Sequence, residues 1–294
     1  MGKSTIEWTT DTWNPVTGCD RVSPGCAHCY ALTLAGRLKA MGQAKYQRDG
    51  DPKTSGPGFG VTLHPDTLEE PLRWRKPRMV FVNSMSDLFH EGIPDEYIAR
   101  VFQTMAACPQ HVFQILTKRP ERMRDWIRDH MWCSVCWGED PDCEGTCRDG
   151  IYVLPNAWLG VSIENRRFVH RADVLADTPA AVRFISAEPL LGPLIPETIT
   201  VDGLTGQTTY EWQDDYTGPG LTFYNRDGDL AFDWLITGGE SGPNHRPIDP
   251  EWVRDLRDVC VHEGVAFFHK QNGGVRPKSG GRELDGREWN EMPQ

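Results

Sequence analysis

Three cysteines within eleven residues form the part of the chain best suited to chemistry. Cys19, Cys26 and Cys29 lie in the segment Gly-Cys-Asp-Arg-Val-Ser-Pro-Gly-Cys-Ala-His-Cys-Tyr, residues 18–30. Three thiolates hold a four-iron cluster and leave one iron without a protein ligand, so that a substrate or cofactor binds there. We therefore expect a [4Fe-4S] cluster with an open iron at these residues.

Two other interpretations of this triad remain open from the residues alone. Cysteines at such spacing also bind zinc, and an isolated pair is sometimes a set of buried apolar side chains. The obvious fourth ligand is His28, but it lies between Cys26 and Cys29 and would have to fold back onto the same metal. Because no other fourth ligand is evident nearby, the spacing favours the open cluster.

A second group of four cysteines interrupts the middle of the chain. These four thiols lie within fifteen residues rich in Gly, Asp and Glu: Cys133, Cys136, Cys143 and Cys147. Such a set suits a closed tetrahedral site, and we predict structural zinc in an insertion over residues 131–150. A second iron-sulfur cluster and unligated surface cysteines are the alternatives.

Composition limits the class of protein. The chain has 294 residues, 38% hydrophobic and 25% charged, and no apolar run approaches the roughly 20 residues needed to cross a bilayer. The first ten residues lack the apolar segment of a secretory signal, so we expect a soluble protein in a reducing cytoplasm, without disulfides. No membrane partner is expected.

The net charge of −11 argues against a protein that coats duplex nucleic acid through its overall field. Two basic segments, Arg73 to Arg78 and Lys118 to Arg124, leave a local phosphate site open. Trp74 lies among the cations of the first, an arrangement suited to base stacking with phosphate contact. Both segments are also compatible with ordinary solvated faces.

The rest of the chain alternates short β-prone runs with helical patterns, which is typical of repeated βα units. The predicted strands are 79–83, 111–116, 157–161, 181–185, 233–236 and 265–268, with a weaker strand before Cys19. We expect an α/β fold: a single domain over residues 1–294 built as a partial or closed (β/α) barrel of six to seven parallel strands. Residues 197–230 carry turn signals between β-prone pieces and predict a small β-hairpin insertion.

Polar residues follow each predicted strand, where a barrel gathers its functional groups. The candidates at these strand ends are Ser86, Asp87, Lys118, Glu164, Glu188 and Glu240. Any single one is compatible with an ordinary turn or helix cap. The series as a whole predicts a functional rim around the cysteine triad.

With these features the chain resembles the radical S-adenosylmethionine superfamily. Within it, Thr-Gly-Cys at 17–19, Ser-Ala-Glu-Pro-Leu-Leu-Gly at 186–192 and Gly-Gly-Glu-Ser-Gly-Pro at 238–243 resemble an uncharacterised branch found in phages and prophages. The first two cysteines are separated by six residues, whereas the commonest superfamily pattern has three. The resemblance implies that His28 packs against the adenine of S-adenosylmethionine and that Ser86 and Asp87 hold its methionyl amine.

The resemblance further implies an enzyme that cleaves S-adenosylmethionine reductively to methionine and a 5′-deoxyadenosyl radical, which abstracts hydrogen from a substrate. The implied roles are cofactor binding for Glu164 and catalysis for Glu188, Glu240 and Lys118. A nucleobase or nucleotide is the expected substrate, an electron donor such as flavodoxin or ferredoxin the expected partner, and the host cytoplasm the expected location. The alternatives are a non-catalytic zinc protein that binds nucleic acid or a protein, and a radical enzyme acting on a peptide.

Overall fold

The structure is a computed structural model that describes residues 4–131, 147–148, 151–201, 208–212 and 215–293. The chain divides into two compact units. Unit 1 comprises Met1–Val161 and Asp177–Arg183, and unit 2 comprises Ser162–Ala176 and Phe184–Gln294.

The described strands follow in chain order. They are β1 Asp11–Trp13, β2 Val16–Thr17, β3 Thr62–Leu63, β4 Met79–Val82, β5 Val112–Thr117, β6 Cys147–Arg148, β7 Ile151–Tyr152, β8 Ala157–Ser162, β9 Val182–Ala187, β10 Thr198–Val201, β11 Thr208–Glu211, β12 Trp234–Gly238, β13 Ala266–Gln271, β14 Glu283–Leu284 and β15 Arg287–Glu288. Seven of them form one sheet in the order β1-β4-β5-β8-β9-β12-β13.

This sheet confirms the predicted α/β fold. Strands β1, β4, β5 and β8 pair in parallel, and so do β9, β12 and β13. The strand order begins at β1 and ends at β13. Of the two predicted arrangements, a partial and a closed barrel, the sheet therefore forms the partial one. Strand β8 is buried at all six residues, as expected where helices cover both faces of a parallel sheet.

The described α-helices are α1 Tyr30–Ala40, α2 Asp95–Ala106, α3 Pro120–His130, α4 His170–Ala176 and α5 Pro250–Glu263. Asp249 is the N-cap of α5, and its side chain accepts the N–H of Glu251. A 3-10 turn, Arg166–Phe168, precedes α4. The Asn165 side chain accepts the N–H of Arg167, which stabilises this tight turn at its start.

The insertions show short antiparallel pairs. Strands β10 and β11 form the hairpin predicted within residues 197–230. Strands β6 and β7 pair at the end of the four-cysteine segment. Cys133, Cys136 and Cys143 lie outside the described residues, and only the backbone of Cys147 is described, so the zinc site stays a prediction. Within the described ranges, no helix combines the length and apolarity that crossing a membrane requires.

Candidate functional site

The three cysteines of the triad lie on one segment of unit 1, between β2 and α1. Gly18 separates Cys19 from the end of β2, Cys26 ends a 3-10 turn that begins at Pro24, and Cys29 is the N-cap of α1. All three are half-buried free thiols. The segment therefore presents three sulfur ligands close to the carboxyl end of β1 and β2.

The thiols share one neighbourhood. Cys19 and Cys29 pack against a small apolar core formed by Ala31, Ala35, Phe59 and Met85. Cys26 is near enough for its charge to contribute to raising the pKa of Cys19, after burial and Asp87.

The fit of this segment to a metal cluster rests on donor chemistry. Across the described ranges, no three or more His, Cys, Asp or Glu side chains are arranged to hold a metal ion. The thiols are thus gathered without being in a ligating geometry. Three free cysteine thiols are nevertheless the soft donor set that iron-sulfur clusters take, so the residues fit the group.

A loop at residues 49–60 braces the cysteine segment through its backbone. The N–H of Cys19 donates to the carbonyl of Phe59 at 3.3 Å, and the N–H of Arg21 donates to the carbonyl of Thr54 at 2.8 Å. Gly18 has φ +91°, and a Cβ at this position would lie 2.4 Å from the carbonyl oxygen of Gly60. Only glycine combines this backbone angle with this close approach.

Asp87 organises the other side of Cys19. Its carboxylate accepts the Thr117 hydroxyl at 2.7 Å, the Lys118 N–H at 3.0 Å and a guanidinium N–H of Arg119 at 3.1 Å. Both charged side chains are buried, with 8% of Asp87 and 7% of Arg119 exposed. Nη1 of Arg119 also lies 3.6 Å from Sγ of Cys19.

The electrostatics of Cys19 follow from these neighbours. Burial, together with the charge of Asp87, raises the pKa of the metal-free Cys19 thiol to about 12, although Arg119 acts in the opposite direction. Burial would lower the pKa of Arg119, but Asp87, Cys19 and Glu91 outweigh it and raise that pKa. Arg119 therefore stays cationic beside the sulfur, where it stabilises negative charge.

Sequence reasoning missed three members of this network: Asp20, His90 and Glu91. Nε of Arg119 donates to Glu91 at 3.0 Å, and His90 lies 2.9 Å from Asp20, the residue after Cys19. Residues 87–91 lie in the loop after β4, so the signal available in the sequence was the density of charged residues at that strand end.

Three of the residues predicted to hold the cofactor, His28, Ser86 and Asp87, lie in unit 1 together with Lys118, which was predicted to be catalytic. His28 is exposed. Ser86 donates its hydroxyl to the carbonyl of Val16 at 2.9 Å and forms an isolated parallel bridge with Gly18. Lys118 is half-buried, and its backbone N–H bonds to Asp87. Ser86 and Asp87 thus tie the strand ends to the cysteine segment.

The three predicted carboxylates lie in unit 2, at the ends of β8, β9 and β12. Each forms an ion pair with a cation of the same unit: Glu164 with Arg171 at 3.2 Å, Glu188 with Lys270 at 2.9 Å and Glu240 with Arg246 at 2.5 Å. Sequence reasoning missed these three cations.

Of these pairs, the one between Glu188 and Lys270 keeps part of both side chains accessible, at 13% and 21% exposed. Glu188 also accepts the hydroxyl of Ser186 at 3.2 Å. Its carboxylate occupies the space that a Cβ at Gly238 would fill, since that atom would lie 2.5 Å from Oε1. The pair can donate or accept a proton at one place, which suits acid–base chemistry.

The basic segment 73–78 does not offer the stacking surface considered from the sequence. Trp74 is only 4% exposed, and the guanidinium of Arg78 lies over its ring at 4.8 Å. Arg78 also pairs with Asp11 at 2.5 Å. The ring of Trp74 is therefore packed inside unit 1 beneath Arg78. The interpretation of Trp74 as a base-stacking residue is wrong.

Comparison with known proteins gives one match. A family model described as a protein of unknown function, DUF5131, matches residues 3–293. The chain therefore belongs to the DUF5131 family. No curated protein matches the chain, and neither does any solved structure.

Proposed function

We propose that this DUF5131 family member is a radical S-adenosylmethionine enzyme whose cluster is held by Cys19, Cys26 and Cys29. The observation that carries the proposal is the gathering of three half-buried free thiols on one braced segment, with a buried Arg119–Asp87 pair against Cys19. A zinc scaffold would complete four ligands, whereas three suit an open cluster.

When bound, the cluster would supply one electron to S-adenosylmethionine and so generate a 5′-deoxyadenosyl radical. The chain's own residues position the reactants. Arg119 stabilises negative charge on Sγ of Cys19, and Asp87 fixes the guanidinium in place. Ser86 and His28 remain the proposed contacts of the methionyl amine and the adenine, with Asp87 beside Ser86.

The proposed acid–base and ribose-binding groups are the three carboxylates Glu164, Glu188 and Glu240. Oε1 of Glu188 and Nζ of Lys270 lie 2.9 Å apart, and we assign this pair to proton transfer with the substrate. Glu164 is fully buried against Arg171, so its proposed role in ribose binding requires that pair to open. Glu240 is likewise held by Arg246, which makes a positioning role the better assignment.

The proposed substrate is a nucleobase or nucleotide. Lys118 lies half-buried at the end of β5, next to the Arg119 network, where a cation suits a phosphate. The proposal also includes structural zinc at the four cysteines Cys133, Cys136, Cys143 and Cys147, and a reducing cytoplasm as the compartment that keeps the thiols free.

Anaerobic reconstitution with iron and sulfide, followed by an assay for 5′-deoxyadenosine with dithionite as reductant, tests the function. We expect a brown protein that forms 5′-deoxyadenosine, and a colourless one when Cys19, Cys26 and Cys29 are changed to alanine. Cys108→Ala is the control, because this thiol is buried and outside the triad, and it should leave the colour intact. Stoichiometric zinc at the triad after reconstitution, without iron, would show that the chain is a zinc protein instead.

A further inference from the structure

Residues 84–87, the template loop, follow β4 and contact the chain on the amino side of the first cysteine. The N–H of Gly18 donates to the carbonyl of Met85 at 2.9 Å. The hydroxyl of Ser86 donates to the carbonyl of Val16 at 2.9 Å, and Ser86 also forms a parallel bridge with Gly18. These contacts fix the backbone that leads into the cysteine segment.

The template loop also contacts the far end of the cysteine segment. The hydroxyl of Tyr30 donates to the carbonyl of Ser84 at 2.6 Å. Tyr30 follows Cys29 directly and is the first residue of α1, so this bond ties the third cysteine to the loop. Cys19 and Cys29 both pack against the apolar core that contains Met85. One loop therefore supports the first and the third cysteine together.

The template loop is itself anchored to the end of β1. The side-chain carbonyl of Asn14 accepts the hydroxyl of Ser84 at 3.2 Å and the N–H of Met85 at 3.1 Å. Asn83, the residue before the loop, has φ +61°, and its N–H donates to the carbonyl of Trp13 at 2.8 Å. Asparagine is one of the few residues besides glycine that adopt this backbone. The loop is thus held in place without any contribution from the cysteine side chains.

Cys26 is held differently from the other two cysteines. Its N–H donates to the carbonyl of Ser23 at 2.9 Å, its carbonyl accepts the N–H of Cys29 at 3.4 Å, and its Sγ lies 3.8 Å from Oγ of Ser23. In the part of the chain that the structure describes, every hydrogen bond of Cys26 lies within residues 23–29. This turn is the element that has to adjust when the gathered thiols become ligands.

We infer that Tyr30 is a positioning residue whose hydroxyl fixes Cys29 relative to Cys19, with the template loop as their common support. The inference rests on the proposed function, in which these cysteines hold the cluster. Groups that orient a metal ligand from behind strengthen metal binding, because less conformational freedom is lost when the metal binds. With two ligands fixed in advance, only the turn that carries Cys26 has to move.

The ring of Tyr30 offers another role for this residue. Its side chain is 55% exposed, and an exposed aromatic ring is suited to stacking on a base or a cofactor. Stacking needs the ring alone, whereas the tether to Ser84 needs the hydroxyl. The substitution Tyr30→Phe removes the hydroxyl and keeps the ring, so it separates the two roles.

The test compares Tyr30→Phe with the parent after anaerobic reconstitution. Tyr224→Phe is the matched control, because Tyr224 is an exposed residue of unit 2 that donates its hydroxyl to Glu263. A ferrous chelator measures the rate of iron loss, and the variant with all three triad cysteines changed to alanine gives the background. Electron paramagnetic resonance of the reduced cluster reports on the arrangement of its ligands. The melting temperature of each metal-free protein measures stability.

We expect iron loss at least about threefold faster in Tyr30→Phe than in the parent, since one hydrogen bond changes an equilibrium by about 2- to 12-fold. The resonance spectrum should change as well. Tyr224→Phe should match the parent in both measurements, and all three metal-free proteins should melt at similar temperatures. A lower melting temperature of metal-free Tyr30→Phe with an unchanged spectrum would show a general structural role and overturn the inference.

The remaining outcomes separate this inference from the proposed function. Equal iron loss and equal spectra, with 5′-deoxyadenosine still formed, would overturn the positioning role alone. If 5′-deoxyadenosine formation fell while iron loss stayed parental, the hydroxyl would contact cofactor or substrate instead. A triad that takes up zinc without iron would overturn the proposed function, and only faster zinc release from Tyr30→Phe would then support the tether. A triad that binds neither metal would overturn both.

Discussion

Nη1 of Arg119 lies 3.6 Å from Sγ of Cys19, so a guanidinium from the end of β5 contacts the first cysteine of a segment a hundred residues earlier in the chain. The same nitrogen lies 3.1 Å from Asp87. A buried cation thus links a buried carboxylate to a candidate metal ligand. Either partner left alone would be an uncompensated charge in a dry environment.

Removal of Arg119 should therefore cost stability. We expect Arg119→Met to lower the free energy of unfolding by about 3–5 kcal/mol, because Asp87 is left buried without its cation. Urea denaturation of the metal-free protein measures this. The control is Arg124→Met, since Arg124 pairs with Asp125 on the surface, and its change should stay within about 0.5 kcal/mol. Equal effects of the two substitutions would contradict the buried-pair account.

Gly18 should tolerate no side chain. Gly42 has a similar backbone, φ +73°, but nothing lies within 4 Å of a Cβ placed there, whereas at Gly18 the Cβ would meet the Gly60 carbonyl oxygen at 2.4 Å. We expect Gly42→Ala to cost about 1–2 kcal/mol from its left-handed backbone alone. Gly18→Ala should cost clearly more and lower the iron content after reconstitution. Similar melting temperatures for the two variants would show that the close approach is unimportant.

Lys118 tests the nucleotide substrate without disturbing the ion pair. Arg119 forms the buried ion pair with Asp87, so its replacement would change stability as well as substrate binding. Lys118→Ala separates the two effects. We expect this variant to keep its cluster and its uncoupled cleavage of S-adenosylmethionine but to bind oligonucleotides far less well than the parent, whose binding should weaken as salt rises. Fluorescence anisotropy at several salt concentrations measures this, with Arg226→Ala as the surface control. Absence of parental binding at low salt would move the assignment to a peptide substrate.

Cys143 tests the second cysteine group. Zinc contributes folding free energy through its ligands, so Cys143→Ala should lower both the zinc content and the melting temperature, while iron at the triad is retained. Metal analysis and calorimetry measure the two effects. Iron and sulfide at these cysteines would identify a second cluster, and an unchanged metal content would show that Cys143 is no ligand.

Three buried histidines make stability depend on pH. Burial lowers the pKa of His64, His111 and His269 below the value of about 6.5 that the unfolded chain has. As the pH falls below about 6.5, the unfolded state therefore binds more protons than the folded state. The contribution of these histidines to stability is fully present above that pH and is lost progressively below it. Each group contributes a slope of about 1.4 kcal/mol per pH unit between its two pKa values.

We expect His269→Gln to make stability fall less steeply as the pH is lowered, as measured by urea denaturation between pH 7 and pH 5. His269 is fully buried, with Thr237 at Nδ1 and Asn272 at Nε2. His262→Gln is the control at a side chain that is 84% exposed. An unchanged slope in the His269 variant would contradict the assignment.

The sheet could be predicted because parallel strands buried on both faces are continuous apolar runs. Runs such as 157–161 and 181–185 were found within one or two residues of β8 and β9. Strand β1 is only three residues long, which is why its signal was weak.

The site was less predictable, since ion pairing joins residues that are far apart in sequence. Glu188 and Lys270 are separated by 82 positions, so no local pattern connects them. Trp74 shows the converse problem: an aromatic among cations has the same sequence pattern whether its ring faces nucleic acid or is covered by Arg78. Residue types indicated the chemistry of the triad, and burial decided the role of the charges around it.

The antiparallel pair β2–β3 joins Thr17 to Thr62, while β1 pairs directly with β4. Residues 18–61, which carry all three triad cysteines, are therefore a closed excursion from the sheet. The entropic cost of closing a loop grows only with the logarithm of the loop's length. Closing this loop therefore costs little more free energy than closing a shorter one. The strand pairs at both ends of this loop use only the backbone groups of the chain, so under the proposed function a cluster would bind to a loop whose ends are already fixed.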